Sequence, residues 1–239
     1  MSVPPSYDDA LMTPTALKLP IFQHLQQRRV VLASASPRRA ALLRQIGMSK
    51  FEIKVSGFEE NLDKHAMDPY EYVTETATQK ALAVYKLEAE TDNEDVGLII
   101  AADTIVVAQN RVLEKPKSAG EHFKMLQTLR DDDFPHRVFT AVVCIAPLEE
   151  PVYPGYNLQT HIEETQVFFD KEVSDDFLRA YVACGEGRDA AGGYQIQSRG
   201  ALLVNRIAGD YTNVVGLPVK ALVKLMEKTV FPEEKDYEE

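Results

Sequence analysis

The run LIIAADTIVV, Leu98–Val107, constrains the fold more than any other stretch of this chain. A strand with one wet face alternates polar and apolar residues; this one is apolar almost throughout, as in a strand covered on both faces. Helices are the usual cover, and the flanking sequence supplies them. Strand-like runs fall at Arg29–Ser34, Phe51–Ser56, Leu98–Val107, Val138–Ala146, His161–Phe169 and Ala201–Ile207. Helical patterns fall at Pro37–Ile46, Pro69–Glu90, Ala119–Arg130, Ser174–Val182 and Thr212–Glu227. The alternation predicts an α/β fold with a mixed, twisted sheet flanked by helices. At 239 residues, 45% of them hydrophobic, the chain can bury a substantial core. The expected organisation is a partly disordered N-terminal extension over 1–28, a domain over 29–229 and an acidic tail over 230–239.

Several positions break local rules, and such positions are where function is expected. Asp103 interrupts the apolar strand, and a buried carboxylate is costly unless it meets a cation, a metal or hydrogen-bond donors. An Asp that ends a strand and caps a turn is the ordinary alternative, but the apolar run resumes at once with Ile105, Val106 and Val107. In SASPRRAALLRQIG, Ser36 suits an N-cap, Pro37 the first helical position and Gly47 the stop, with Leu42, Leu43 and Ile46 as the buried stripe. Arg38 and Arg39 then stand on the first turn, where the helix dipole disfavours cations. A bound polyanion reverses that cost, because free N–H groups, dipole and guanidinium groups act together; a solvated face is the competing reading. Lys80 occupies the apolar face formed by Val73, Ala77, Val84 and Leu87, either snorkelling or meeting phosphate oxygens. Lys115 and Lys117 flank Pro116 in a loop, where lysines are usually just solvated. Glu59 and Glu60 follow a strand end, and carboxylates with phosphates form a common Mg²⁺ site.

Other features exclude chemistry. GEGRDA, Gly185–Ala190, fits G-x-G-x-x-G/A but follows a helical segment, and the dinucleotide fingerprint needs strand, turn and helix in that order. No G-x-x-x-x-G-K-[ST] loop occurs. Cys144 and Cys184 lack metal-ligand spacing and read as reduced core thiols of an intracellular protein. No apolar run approaches the ~20 residues of a membrane span, and the proline-rich N-terminus does not read as a secretory signal, so a cytoplasmic location is expected. A net charge of −11 argues against broad nucleic-acid or membrane binding. Any polyanion must therefore sit in a small, locally basic pocket.

Ser34-Ala35-Ser36-Pro37-Arg38-Arg39, the Lys80 helix, Ala102-Asp103-Thr104, Glu114-Lys115-Pro116, Tyr194-Gln195-Ile196-Gln197 and GDYTNVVGLP occur in this order. With them the chain resembles the Maf family of nucleoside triphosphate pyrophosphatases, over roughly Arg29 to Glu227. The resemblance implies a fold related to the inosine triphosphate pyrophosphatases, with two lobes around a cleft. It implies hydrolysis of a nucleoside triphosphate to monophosphate and pyrophosphate, assisted by Mg²⁺ or Mn²⁺, and frequently a homodimer. By the same resemblance Ser34, Ser36, Arg38 and Arg39 form a phosphate-binding signature, and Lys80 and Lys115 contact phosphates. Asp103 is general base or metal ligand, and Glu60 stands near the metal. Arg38, Thr104 and Gln197 agree with the dTTP/UTP branch, and a glutamine can offer both donor and acceptor to a pyrimidine edge. Two departures stand out. Glu114 replaces a glycine before the lysine, and Ala190 replaces a lysine in Asp189-Ala190-Ala191-Gly192, with Arg188 as a candidate substitute. Purine or 7-methylguanine triphosphates, or a nucleotide-binding regulator with little turnover, are the alternative expectations.

Overall fold

The structure is a computed structural model describing residues 17–58, 62, 66–90, 96–148 and 153–232. Seven strands form one mixed sheet in the order β2-β1-β3-β5-β6-β7, with β4 added to β3. They are β1 (Arg29–Ala33), β2 (Glu52–Ile53), β3 (Val96–Ala108), β4 (Arg111–Leu113), β5 (His136–Pro147), β6 (Tyr156–Phe169) and β7 (Val204–Ala208). β1 runs parallel to β2 and β3, and the remaining pairs are antiparallel. The helices are α1 (Pro20–Leu25), α2 (Pro37–Gln45), α3 (Pro69–Ala89), α4 (Ala119–Asp131), α5 (Asp175–Ala183), α6 (Tyr211–Val215) and α7 (Val219–Val230).

β3 behaves as its composition requires. Successive side chains point to opposite faces. Ile99, Ala101, Ile105 and Val107 therefore pack with Val73, Ala77, Ala81 and Val84 of α3. Leu98, Ile100, Ala102 and Val106 join the larger core carrying residues of α2, α4, α5 and α7. α3 starts at a full capping box between Asp68 and Glu71, with Pro69 in the first turn. A two-residue turn, Gln109–Asn110 with φ of 48° and 59°, folds β4 back on β3. Paired positive φ values match the right-handed strand twist of a tight hairpin.

Several expected boundaries move. The helix expected over Thr212–Glu227 is two helices, because Gly216 takes φ +120° and Pro218 has no N–H to continue the ladder. The strand expected at Phe51–Ser56 shrinks to β2. The one expected at Ala201–Ile207 opens as a 3-10 turn over Arg199–Leu203 before β7 begins. α1 lies inside the segment read as an extension, and its Ile21, Phe22 and Leu25 join the larger core. Leu87, read as part of the core face of α3, is exposed, because Glu88 takes the buried position beside it. Cys144 is the buried thiol expected, but Cys184, at the C-terminal cap of α5, is exposed. Among the described residues no helix is long and apolar enough to cross a membrane.

Candidate active site

A cleft of about 1100 Å³ opens beside the middle of β3. It collects Ser34, Ser36, Arg38, Arg39, Lys80, Asp103, Thr104, Lys115 and Gln197, residues spread over most of the chain. Glu60 lies outside the described residues.

Strand alternation sorts the centre of the site. Asp103 shares the face of Ala101 and Ile105, so it meets α3. Lys80, on the buried face of that helix, puts Nζ 2.7 Å from Asp103 Oδ1, with side chains only 11% and 13% exposed. The carboxylate in the apolar strand and the lysine on the apolar helix face thus satisfy one another. Each accounts for the other's burial.

Thr104 points the opposite way, toward α2. Its Oγ1 is 3.0 Å from Thr140 Oγ1 on β5 and accepts from Arg39 Nη2 at 3.0 Å. Arg39 also donates from Nη1 to the Ala102 carbonyl at 2.7 Å and Ser34 Oγ at 3.1 Å, and from Nε to the Gly216 carbonyl at 2.9 Å. This buried guanidinium ties the ends of β1 and α6 to β3, a binding geometry that a planar fork suits and an ammonium does not. Of the two arginines on the first turn, Arg39 is committed to the cleft's framework, while Arg38 is half-buried along its wall. Burial lowers the Arg38 pKa, with the nearby charge of Asp189 opposing that shift. Ser36 sits at the N-cap but makes no side-chain cap bond; instead its N–H donates to Ser34 Oγ at 3.2 Å. The first turn of α2 therefore reaches the cleft without a side-chain cap, beside Arg38 and Lys115.

The β3–β4 hairpin carries Glu114, Lys115, Pro116 and Lys117 to one edge of the cleft. Arg188–Ala191 with Tyr194, Gln195 and Gln197 also line the cleft. The glycine-rich decoy thus shapes the cleft without being a dinucleotide loop. Gln197 is exposed and donates from Nε2 to Gln195 Oε1 at 3.0 Å.

Two supports escaped sequence reasoning. Asn213 is fully buried and its side-chain Nδ2 donates to the Val138 carbonyl and to Thr165 Oγ1, both at 3.0 Å, while its backbone carbonyl accepts from Thr140 Oγ1 at 3.1 Å. Its place in GDYTNVVGLP was the available signal. His136 is also buried, with Nε2 2.8 Å from the Tyr194 hydroxyl, and desolvation pushes its pKa down to about 3. A lone histidine at the first residue of a strand carries no comparable signal. Among the described residues no cluster of three or more His, Cys, Asp or Glu could cage a metal. Among the described residues Asp103 offers a carboxylate at the centre, which suits a hard cation that keeps waters and takes its remaining ligands from phosphates.

The sequence profile described as "Maf-like protein" matches residues 29–229. A Schizosaccharomyces pombe protein named dTTP/UTP pyrophosphatase is 49% identical over 229 residues, covering 95% of this chain and 92% of that protein. A Homo sapiens protein named probable bifunctional dTTP/UTP pyrophosphatase/methyltransferase is 40% identical over 214 residues, 89% of this chain and 34% of that protein. A Saccharomyces cerevisiae dTTP/UTP pyrophosphatase is 38% identical over 206 residues, covering 82% of this chain and 88% of that protein.

Proposed function

This chain belongs to the Maf family, and from that premise we propose that it hydrolyses dTTP and UTP to the monophosphate and pyrophosphate. The observation that carries the reading is the Asp103–Lys80 pair at the centre of a cleft whose edges bring Arg38, Lys115 and the first turn of α2 together.

The chemistry requires a water oxygen to bond to the α-phosphorus as the α–β anhydride bond breaks. About four negative charges crowd that centre, so positioning and electrostatic stabilisation supply most of the catalysis. Arg38, Lys115 and the α2 N–H groups hold the phosphate chain. Asp103 orients the water and accepts its proton, while Lys80 fixes the carboxylate and reaches toward the phosphates. Arg39 acts through the framework that keeps Ser34, Thr104 and the α2 turn in register. Asp103, with Glu60 as the family resemblance implies, would hold Mg²⁺ or Mn²⁺, which when bound would supply charge neutralisation to the phosphates. Gln197, with Arg38 and Thr104, favours a pyrimidine base. The family resemblance supports a homodimer, which a monomer mass by light scattering would refute, and the sequence without a membrane-span run or a secretory signal pattern supports a cytoplasmic location.

The test is a panel of nucleoside triphosphates with Mg²⁺ or Mn²⁺ and with EDTA, scoring released pyrophosphate. UTP and dTTP should lead ATP, GTP and 7-methyl-GTP in kcat/KM, and EDTA should silence the reaction. A purine ranked first overturns the substrate assignment, and binding without turnover makes the chain a regulator instead.

A further inference from the structure

Glu186 stands outside the cleft, in the turn after α5, yet it organises one of the cleft's walls. Its Oε1 accepts from the Tyr181 hydroxyl at 3.0 Å and from the Gly200 N–H at 2.9 Å. Its Oε2 accepts from Ser198 Oγ at 2.8 Å. Tyr181 Oη in turn accepts the Gln195 N–H at 3.2 Å. Both ends of the segment 195–200 are thus fastened to one side chain, directly at 198 and 200 and through a tyrosine at 195.

The segment closes tightly on itself. The Ser198 N–H donates to the Gln195 carbonyl at 3.2 Å. A Cβ on Gly200 would fall 2.6 Å from that same oxygen, so the two backbones meet where only glycine fits. Gln197 stands at the exposed turn of this loop with its amide bonded to Gln195, and both residues line the cleft. Burial disfavours the charged form of Glu186, but the bonds from Ser198, Gly200 and Tyr181 outweigh it and keep its pKa below the ordinary range. Gln195, Gln197 and Ser198 have no strand or helix pairing of their own, and leaving such residues loose costs ~1–2 kcal/mol per residue to order on binding.

We propose that Glu186 is a specificity-positioning residue, which presents Gln195 and Gln197 to the base in one fixed arrangement without touching the substrate. The inference rests on the pyrophosphatase reading above and adds a determinant to it. Asp103 and Lys80 sit on β3 and α3, so loosening the loop should act on KM for the matched base and leave kcat largely intact.

Steady-state kinetics of the full chain with UTP, dTTP, GTP and ATP test it for wild type, Glu186→Ala, Glu186→Gln and Tyr181→Phe. Glu186→Ala should cut the pyrimidine-to-purine ratio of kcat/KM about tenfold or more, through a higher KM for UTP and dTTP. Tyr181→Phe, losing only the link to Gln195, should cut it by a smaller factor. Glu186→Gln should stay near wild type, because it retains the shared oxygen for Tyr181 and Gly200 and Ser198 can turn to accept. A folded Glu186→Ala with the wild-type ratio, or with an equal loss on every nucleotide, overturns the proposal. If Glu186→Ala does not fold, Tyr181→Phe decides, and an unchanged ratio overturns it equally. Wild-type protein that turns over no triphosphate refutes the underlying pyrophosphatase reading, a result separable from a failure of Glu186 alone.

Discussion

Lys80→Met should destabilise the protein, and adding Asp103→Asn should restore much of what was lost. Lys80 Nζ and Asp103 Oδ1 are 2.7 Å apart, and each side chain is nearly nine-tenths buried. Removing one member of a buried pair costs ~3–5 kcal/mol because the remaining charge stays in poor solvent. The residual exposure gives that charge some hydration, so a loss of about 2–4 kcal/mol is expected. For a domain of this size that is a fall in Tm of roughly 5–15 °C. Neutralising both members removes the stranded charge, so the double variant should be more stable than the sum of the single losses by at least ~1.5 kcal/mol. Urea unfolding of the wild type, both single variants and the double variant measures this coupling directly. Single losses that add to within ~0.5 kcal/mol would refute the reasoning, since independent sites behave that way. Pyrophosphate release separates stability from chemistry. Asp103→Asn should bind nucleotide without turning it over, and the double variant should be stable but inactive. Turnover near wild type in either would make Asp103 a structural residue.

Arg38→Ala should lower kcat/KM for UTP by roughly 10–100-fold, the loss of one charge-assisted contact of ~1.5–3 kcal/mol, with little change in Tm; unchanged kinetics would return Arg38 to a solvated face. Arg39→Lys keeps the charge but cannot reach Gly216, Ala102, Ser34 and Thr104 together, so calorimetry should show a loss of about 2–4 kcal/mol of stability; a Tm within 2 °C of wild type, the shift expected for less than ~1 kcal/mol, would contradict the framework role. His136 has a pKa depressed from 6.5 to about 3, so between those values the unfolded chain binds the extra proton and stability falls as pH is lowered. At pH 5 its share of that loss is about 2 kcal/mol, which His136→Gln should abolish in urea unfolding at pH 5 and 7.5; parallel pH profiles for the two proteins would disprove it.

Legibility in the sequence followed the range of the forces involved. β3, the mixed sheet and the start of α2 at Ser36–Pro37 were readable because periodicity and helix-start chemistry are local, although Ser36 makes no side-chain cap bond. Asp103 and Lys80 were readable as violations of that periodicity, although their pairing was not, since no local pattern relates a helix face to a strand 23 residues on. Arg39 looked like a second Arg38 because its partners at 102, 104 and 216 are brought near only by the folded sheet. The break at Gly216–Pro218 did carry a local signal, a glycine and a proline two residues apart, overridden by the apolar periodicity on either side. β4 is too short for any period to register, and only the Gln109–Asn110 turn marks it. The exposed thiol of Cys184 reflects a helix terminus, which composition does not locate.

The bond from Arg39 to the Gly216 carbonyl spans 177 residues of chain, and that distance has a meaning in time as well as in space. Synthesis at about 5–20 residues per second puts roughly 9–35 s between the appearance of the guanidinium and that of the carbonyl anchoring it. Ser34 and Arg38 are present from the start of that interval, and Lys80 and Asp103 join them well before Gly216 is made. The nascent chain still lacks the segment that locks their framework, so an emerging or prematurely ended chain displays the polar groups of the site without its geometry. Activity then arrives late in biosynthesis and in one step, as the last third of the chain closes the sheet around residues made long before.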